Sequence, residues 1–136
     1  MPAAFDRDYV KRLDGPNVKA ATSKRELAEA LRADIRARLQ ETGATRAVMV
    51  WCGSTEIHLR PSKCHESIEA FEKGLDANDP GIAPSQLYAY AAIKEGVPYA
   101  NGAPNLSADF DALEQLALEC GVPICGKDFK TGQYEL

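Results

Sequence analysis

The run Val122-Pro-Ile-Cys125, followed at once by Gly126-Lys-Asp-Phe-Lys-Thr-Gly-Gln133, decides how the rest of the chain is read. A short apolar segment of strand type discharges into a loop of glycines, lysines and an aspartate. In open α/β sheets, ligands bind just beyond the carboxyl ends of parallel strands. Ammonium groups placed there suit an anionic ligand, with one carboxylate left for polar work. Alone, the loop reads more simply as a solvated turn. It gains weight because the arrangement occurs twice more upstream.

Working outward, Gly121 closes a helix whose inward positions are predicted to be Leu113, Leu116, Ala117 and Cys120, with Ser107 or Asp109 as its cap. Before it, Val97-Pro-Tyr-Ala100 reads as a second strand, ending in Asn101-Gly-Ala-Pro-Asn105. A helix from Pro84 to Gly96 precedes that strand, since proline favours the first helical turn. Asn78-Asp-Pro-Gly81 separates it from a helix capped by Ser62, with Ile68, Phe71 and Leu75 inside.

Further upstream, Ala47-Val-Met-Val-Trp51 is too short for a helix and apolar throughout, as a parallel strand covered on both faces would be. It runs into Cys52-Gly-Ser-Thr-Glu56. Ser23-Lys-Arg-Glu26 has the form of a capping box, and Leu27, Leu31, Ile35 and Leu39 give one apolar stripe ending at Gly43. Residues 1–22 read as an irregular arm and 23–136 as one α/β domain. Strands alternating with helices imply parallel pairing through right-handed crossovers. The expected fold is therefore a Rossmann-like three-layer arrangement, with about three parallel strands and about four helices.

The 136 residues suffice for one domain with a real core. A net charge of −4 argues against a general nucleic-acid binder. No apolar run approaches the ~18 residues of a transmembrane helix, and Met1-Pro-Ala-Ala-Phe-Asp-Arg-Asp8 has no apolar signal core. A cytoplasmic, membrane-free protein is expected. Cys52, Cys64, Cys120 and Cys125 form no Cys-x-x-Cys pair, so disulfides are not expected, and Cys120 and Cys125 read as small hydrophobes. A zinc site from Cys52, His58, Cys64 and His65 fits no common spacing, so no metal is expected. His58 and His65 read as surface residues and Trp51 as core. Tyr88 and Tyr90 cannot both face inward on one helix.

If the strands are parallel, the three loops share one edge. Lys127 and Lys130 can then stabilise a phosphate or a developing oxyanion as point charges, or transfer protons if desolvated. Asp128 can orient a lysine or contact a cofactor; the plainer alternative is an Asp–Lys surface pair worth little.

At these loops the chain resembles a known family. Val48-Met-Val-Trp-Cys-Gly-Ser-Thr-Glu56, Asn78-Asp-Pro-Gly-Ile-Ala-Pro-Ser85 with Leu87-Tyr-Ala-Tyr90, Val97-Pro-Tyr-Ala-Asn-Gly-Ala-Pro-Asn105 and Gly126-Lys-Asp-Phe-Lys-Thr-Gly-Gln133 resemble inositol-3-phosphate (myo-inositol-1-phosphate) synthases of the bacterial and archaeal type, from residue 1 to Gln133. The resemblance implies an NAD-dependent isomerase of inositol and phospholipid biosynthesis. Such an enzyme converts D-glucose 6-phosphate to 1D-myo-inositol 3-phosphate by oxidation, enolisation, aldol cyclisation and reduction, usually as a homotetramer.

Matched motif by motif, Gly53, Ser54 and Thr55 resemble the loop lying along NAD, and Asp128 the acidic residue near the nicotinamide. Asn101, Gly102 and Pro104 resemble the loop bordering substrate. Lys127 and Lys130 belong to the lysine-bearing motif of catalysis and phosphate binding, their roles undivided. The departures are that no Gly-x-Gly-x-x-Gly occurs, and that Tyr134-Glu-Leu136 stands where the family continues with a long helix and further catalytic lysines. The chain is thus expected to be a central portion of a synthase and inactive alone. A non-catalytic interaction module and a small phosphosugar- or nucleotide-binding protein are the alternatives.

Overall fold

The computed structural model describes residue 4, residues 18–53 and residues 55–129. Most of the expected arm, and the candidate residues Ser54 and Lys130, lie outside the described residues.

Helix α1 spans Lys24–Thr42 and ends at Gly43, as its stripe predicts; Leu27, Leu31 and Ile35 are buried. Its start differs slightly from a capping box. Ser23 accepts from the Glu26 N–H, but the Glu26 carboxylate reaches back one residue further, to the Thr22 N–H and Oγ1, each at 2.8 Å. Then come β1 (Met49–Trp51), a 3₁₀ turn at Lys63–His65, α2 (Ile68–Asp76), α3 (Pro84–Lys94), β2 (Tyr99–Asn101), α4 (Asp111–Cys120) and β3 (Ile124–Gly126). The strands pair in parallel in the order β1-β2-β3, with Met49, Tyr99 and Ile124 in one row and Val50, Ala100 and Cys125 in the next. Class, pairing and element content agree with the sequence reading.

Side chains alternate across a strand, and here the alternation gives the two sheet faces different surroundings. Met49, Trp51, Tyr99 and Ile124 pack against a core built mainly from the four helices. Val48 and Val50 point the other way and are exposed. The expectation that β1 is covered on both faces is corrected: among the described residues no helix lies over the outer face.

Several local expectations also change. Ser62 starts the 3₁₀ turn, whereas α2 is capped by Ser67, whose hydroxyl accepts from the Ala70 N–H. His65, expected at the surface, is buried. Its Nδ1 accepts from the Ser62 N–H at 2.9 Å, and its Nε2 meets the Gln86 side-chain oxygen at 3.0 Å. That pairing makes it a satisfied core histidine. Neither Ser107 nor Asp109 caps α4; its N-cap residue is Phe110, and Asp109 instead accepts from the Ser107 N–H. Cys120 and Cys125 are exposed and Cys64 is the buried cysteine, because a helix-end position and an outer-face position lie beyond the packed layer. Tyr90 is buried, while Tyr88 is half-buried against the Trp51 ring with centroids 5.3 Å apart.

Candidate functional site

Parallel pairing brings the three outgoing loops to one edge, and backbone bonds tie them together. Gly102 donates its N–H to the Trp51 carbonyl at 3.0 Å; Asp128 and Phe129 donate to Ala103 and Gly102 at 3.2 and 3.1 Å. Glycine at 102 is needed for this closeness. A Cβ there would stand 2.7 Å from the Trp51 carbonyl oxygen and 3.1 Å from the Phe129 ring. Gly53 likewise lies under the Trp51 indole, where a Cβ would meet the ring at 2.6 Å. These two glycines therefore let protein approach protein at the site's floor.

The β1 loop carries Glu56, to which the sequence motif assigns no role. Its carboxylate accepts the Ser85 N–H at 2.8 Å, the Ser85 hydroxyl at 2.7 Å and the Asn105 amide at 3.0 Å. Burial pushes its pKa up, and the bonds from Ser85 offset that only in part. Beside it, the buried Tyr99 hydroxyl bonds Ser107, and burial raises its pKa strongly. The signal for Glu56 was present in the sequence: α3 opens with Ala83-Pro84, which offers no side-chain acceptor, so its first free N–H needs one from elsewhere.

At the other end of the edge an open cleft of about 300 Å³ is lined by Asn101, Asp109, Glu114, Cys125, Gly126 and Lys127 among others. The Lys127 ammonium donates to Asp109 at 3.0 Å, with both side chains close to half exposed. Burial pushes Asp109 up, but the bonds from Lys127 and the Ser107 N–H outweigh it, so its pKa lies below the usual range. Lys127 is thus oriented by Asp109, not by Asp128, which is exposed with φ +59°. Asn101 is buried and its amide is engaged within its own loop: Nδ2 donates to the Asn105 carbonyl and Oδ1 accepts from Ala103. Gly53, Thr55 and Pro104 are exposed at the same edge. Among the described residues, no cluster of His, Cys, Asp and Glu could hold a metal ion.

The family model described as myo-inositol-1-phosphate synthase matches residues 1–132. The chain belongs to this family. Synthase relatives include inositol-3-phosphate synthase 1 of Bacteroides thetaiotaomicron, 46% identical over 98% of this chain and 31% of its own length. The inositol-3-phosphate synthase of Trypanosoma brucei brucei is 37% identical over 98% of this chain and 26% of its own. Among solved structures, inositol-3-phosphate synthase from Caenorhabditis elegans superposes with a TM-score of 0.82 at 29% identity, over 98% of this chain and 26% of that one. The chain therefore spans less than a third of the synthases it matches. The matched portion is the family's NAD-binding domain, and NAD is the cofactor it implies.

The described residues fit NAD in part. The exposed backbone and hydroxyl at Gly53 and Thr55 suit one border of a dinucleotide. A free helix N-terminus is a ready diphosphate site, but neither of the two beside these loops is free. That of α3 is filled by Glu56, and that of α4 carries Asp111 and Glu114.

Proposed function

We propose that this chain forms part of an inositol-3-phosphate synthase that isomerises D-glucose 6-phosphate to 1D-myo-inositol 3-phosphate in the cytoplasm, as a homo-oligomer, and that alone it is inactive. The convergence of three strand-end loops on one edge, in a chain of this family, carries the reading. When bound, NAD supplies a hydride acceptor and then a hydride donor, so the overall isomerisation involves no net redox change.

Gly53, Ser54 and Thr55 would border the dinucleotide, with Asp128 facing it from the third loop. Asn101, Gly102 and Pro104 would form the wall next to substrate, Asn101 by shaping its loop, since its own amide is engaged. Lys127 and Lys130 would take the phosphate and stabilise oxyanion character. Lys127 suits this because an exposed ion pair is weak, so its ammonium can leave Asp109 for a phosphate oxygen at little cost.

Two measurements test the reading. Incubating the purified 136-residue chain with NAD and glucose 6-phosphate should yield no inositol phosphate. Millimolar NAD should shift amide NMR signals at residues 52–55, 101–103 and 126–130; shifts confined to other regions would overturn the site.

A second reading, an assembly module acting through a second copy of the chain, draws on the exposed Val48 and Val50 and on edge strands unpaired among the described residues. A monomeric mass by light scattering would remove it.

A further inference from the structure

We propose that Glu56 is a positioning residue: its carboxyl group accepts the free N–H at the N-terminus of α3 and, through Asn105, holds the three strand-end loops in one register. Helix α3 runs for eleven residues from Pro84, and its N-cap, Ala83, bonds no backbone donor with its side chain. The first N–H groups of a helix have no partner within it and call for acceptors from outside. Glu56 supplies that acceptor from a different loop, so the contact that completes α3 also anchors the β1 loop.

Asn105 carries the connection onward. A carboxylate only accepts hydrogen bonds, so the Asn105 amide nitrogen must face Glu56. Its Oδ1 is then left with no partner among the described residues, although Asn105 is only 5% exposed. The Asn105 carbonyl accepts from Asn101 Nδ2 at 2.8 Å, Asn101 Oδ1 accepts from the Ala103 N–H at 3.0 Å, and the Ala103 carbonyl accepts from the Asp128 N–H at 3.2 Å. Polar groups thus run without a break from the first loop to the third. Hydrogen bonds in such a network polarise one another, and losing one partner frees the next group to move.

The importance of this register rests on the reading that these loops border NAD and substrate, but the coupling itself is measurable without either. Amide hydrogen exchange on the 136-residue chain separates the two. Glu56→Ala should speed exchange roughly tenfold at Ser85, and also at Ala103 and Asp128, with α1 amides such as Leu31 and Ile35 unchanged.

Glu56→Gln should restore near wild-type rates. Its oxygen can accept the Ser85 N–H, and its amide can donate to Asn105 Oδ1 once the Asn105 amide turns over. Should Glu56→Ala not fold, Glu56→Asp keeps the charge but is one methylene short of spanning Ser85 and Asn105 together, and should show the same three-site pattern. Faster exchange at Ser85 alone, or an equal increase throughout the chain, would overturn the proposal. Absence of NAD-induced shifts in the wild-type chain would count against the ligand reading and leave the coupling standing.

Discussion

Glu56 and Asp109 both hold loop segments at the carboxyl edge of the sheet, yet they do so in different surroundings. Glu56 is enclosed by α3 and the β2 loop and is satisfied by a backbone amide, a hydroxyl and a side-chain amide. Asp109 meets Lys127 close to the solvent, each side chain about 44–45% exposed. The same functional group therefore does two jobs. Enclosed, it fixes geometry, because any lost partner leaves a group that water does not readily reach. Exposed, it holds a lysine loosely enough to exchange partners.

The comparison is most severely tested at Ser85, which is fully buried. Ser85→Val removes the hydroxyl that Glu56 and Asn105 share and leaves the carboxylate under-satisfied, so unfolding in urea should show a loss of about 2–4 kcal/mol. A loss within error of zero would show that the enclosed corner is as tolerant as the open one. Next, Gly102→Ala should cost about 1–3 kcal/mol by the same assay, because the new methyl presses on backbone and β1 must separate from the β2 loop.

Acidification distinguishes the two carboxylates by sign. The folded pKa of Glu56 is raised, so its contribution is fully present below the unfolded value and is lost as pH rises through the folded one. The wild type should therefore lose stability relative to Glu56→Gln as pH climbs from the ordinary glutamate range. Asp109 has a lowered folded pKa, so its contribution is present above the unfolded value and is lost as pH falls through the folded one. Against Asp109→Asn, the wild type should lose stability on acidification. Thermal melts from pH 3 to 7 would read both slopes, and slopes of the same sign would erase the distinction. Smallest of all, Lys127→Ala should change stability by no more than about 0.5 kcal/mol, since its partner is exposed.

Much of the fold was legible because local rules were enough. The Leu27–Leu39 stripe, Gly43 and Pro84 mark helices through contacts within a few residues, and alternating helices and short apolar runs imply a parallel sheet. His65 was misread because the group that satisfies it, Gln86, lies 21 residues away on another helix. Ser62 lost the α2 cap to Ser67 because both residues fit a cap, and the 3₁₀ turn between them decided the matter. Glu56 went unassigned for the same reason as His65: its donors arrive from α3 and from the β2 loop.

The amino-acid order alone determined family, element content and the clustering of polar loops after strands, since these follow from periodicity, turn chemistry and motif. Only the tertiary structure decided that Val48 and Val50 are exposed on one sheet face, that Gly53 and Gly102 serve contacts within the protein, and that the α3 N-terminus is already filled. Burial and long-range hydrogen bonds depend on which distant segments meet, and that becomes definite only once the strands have paired.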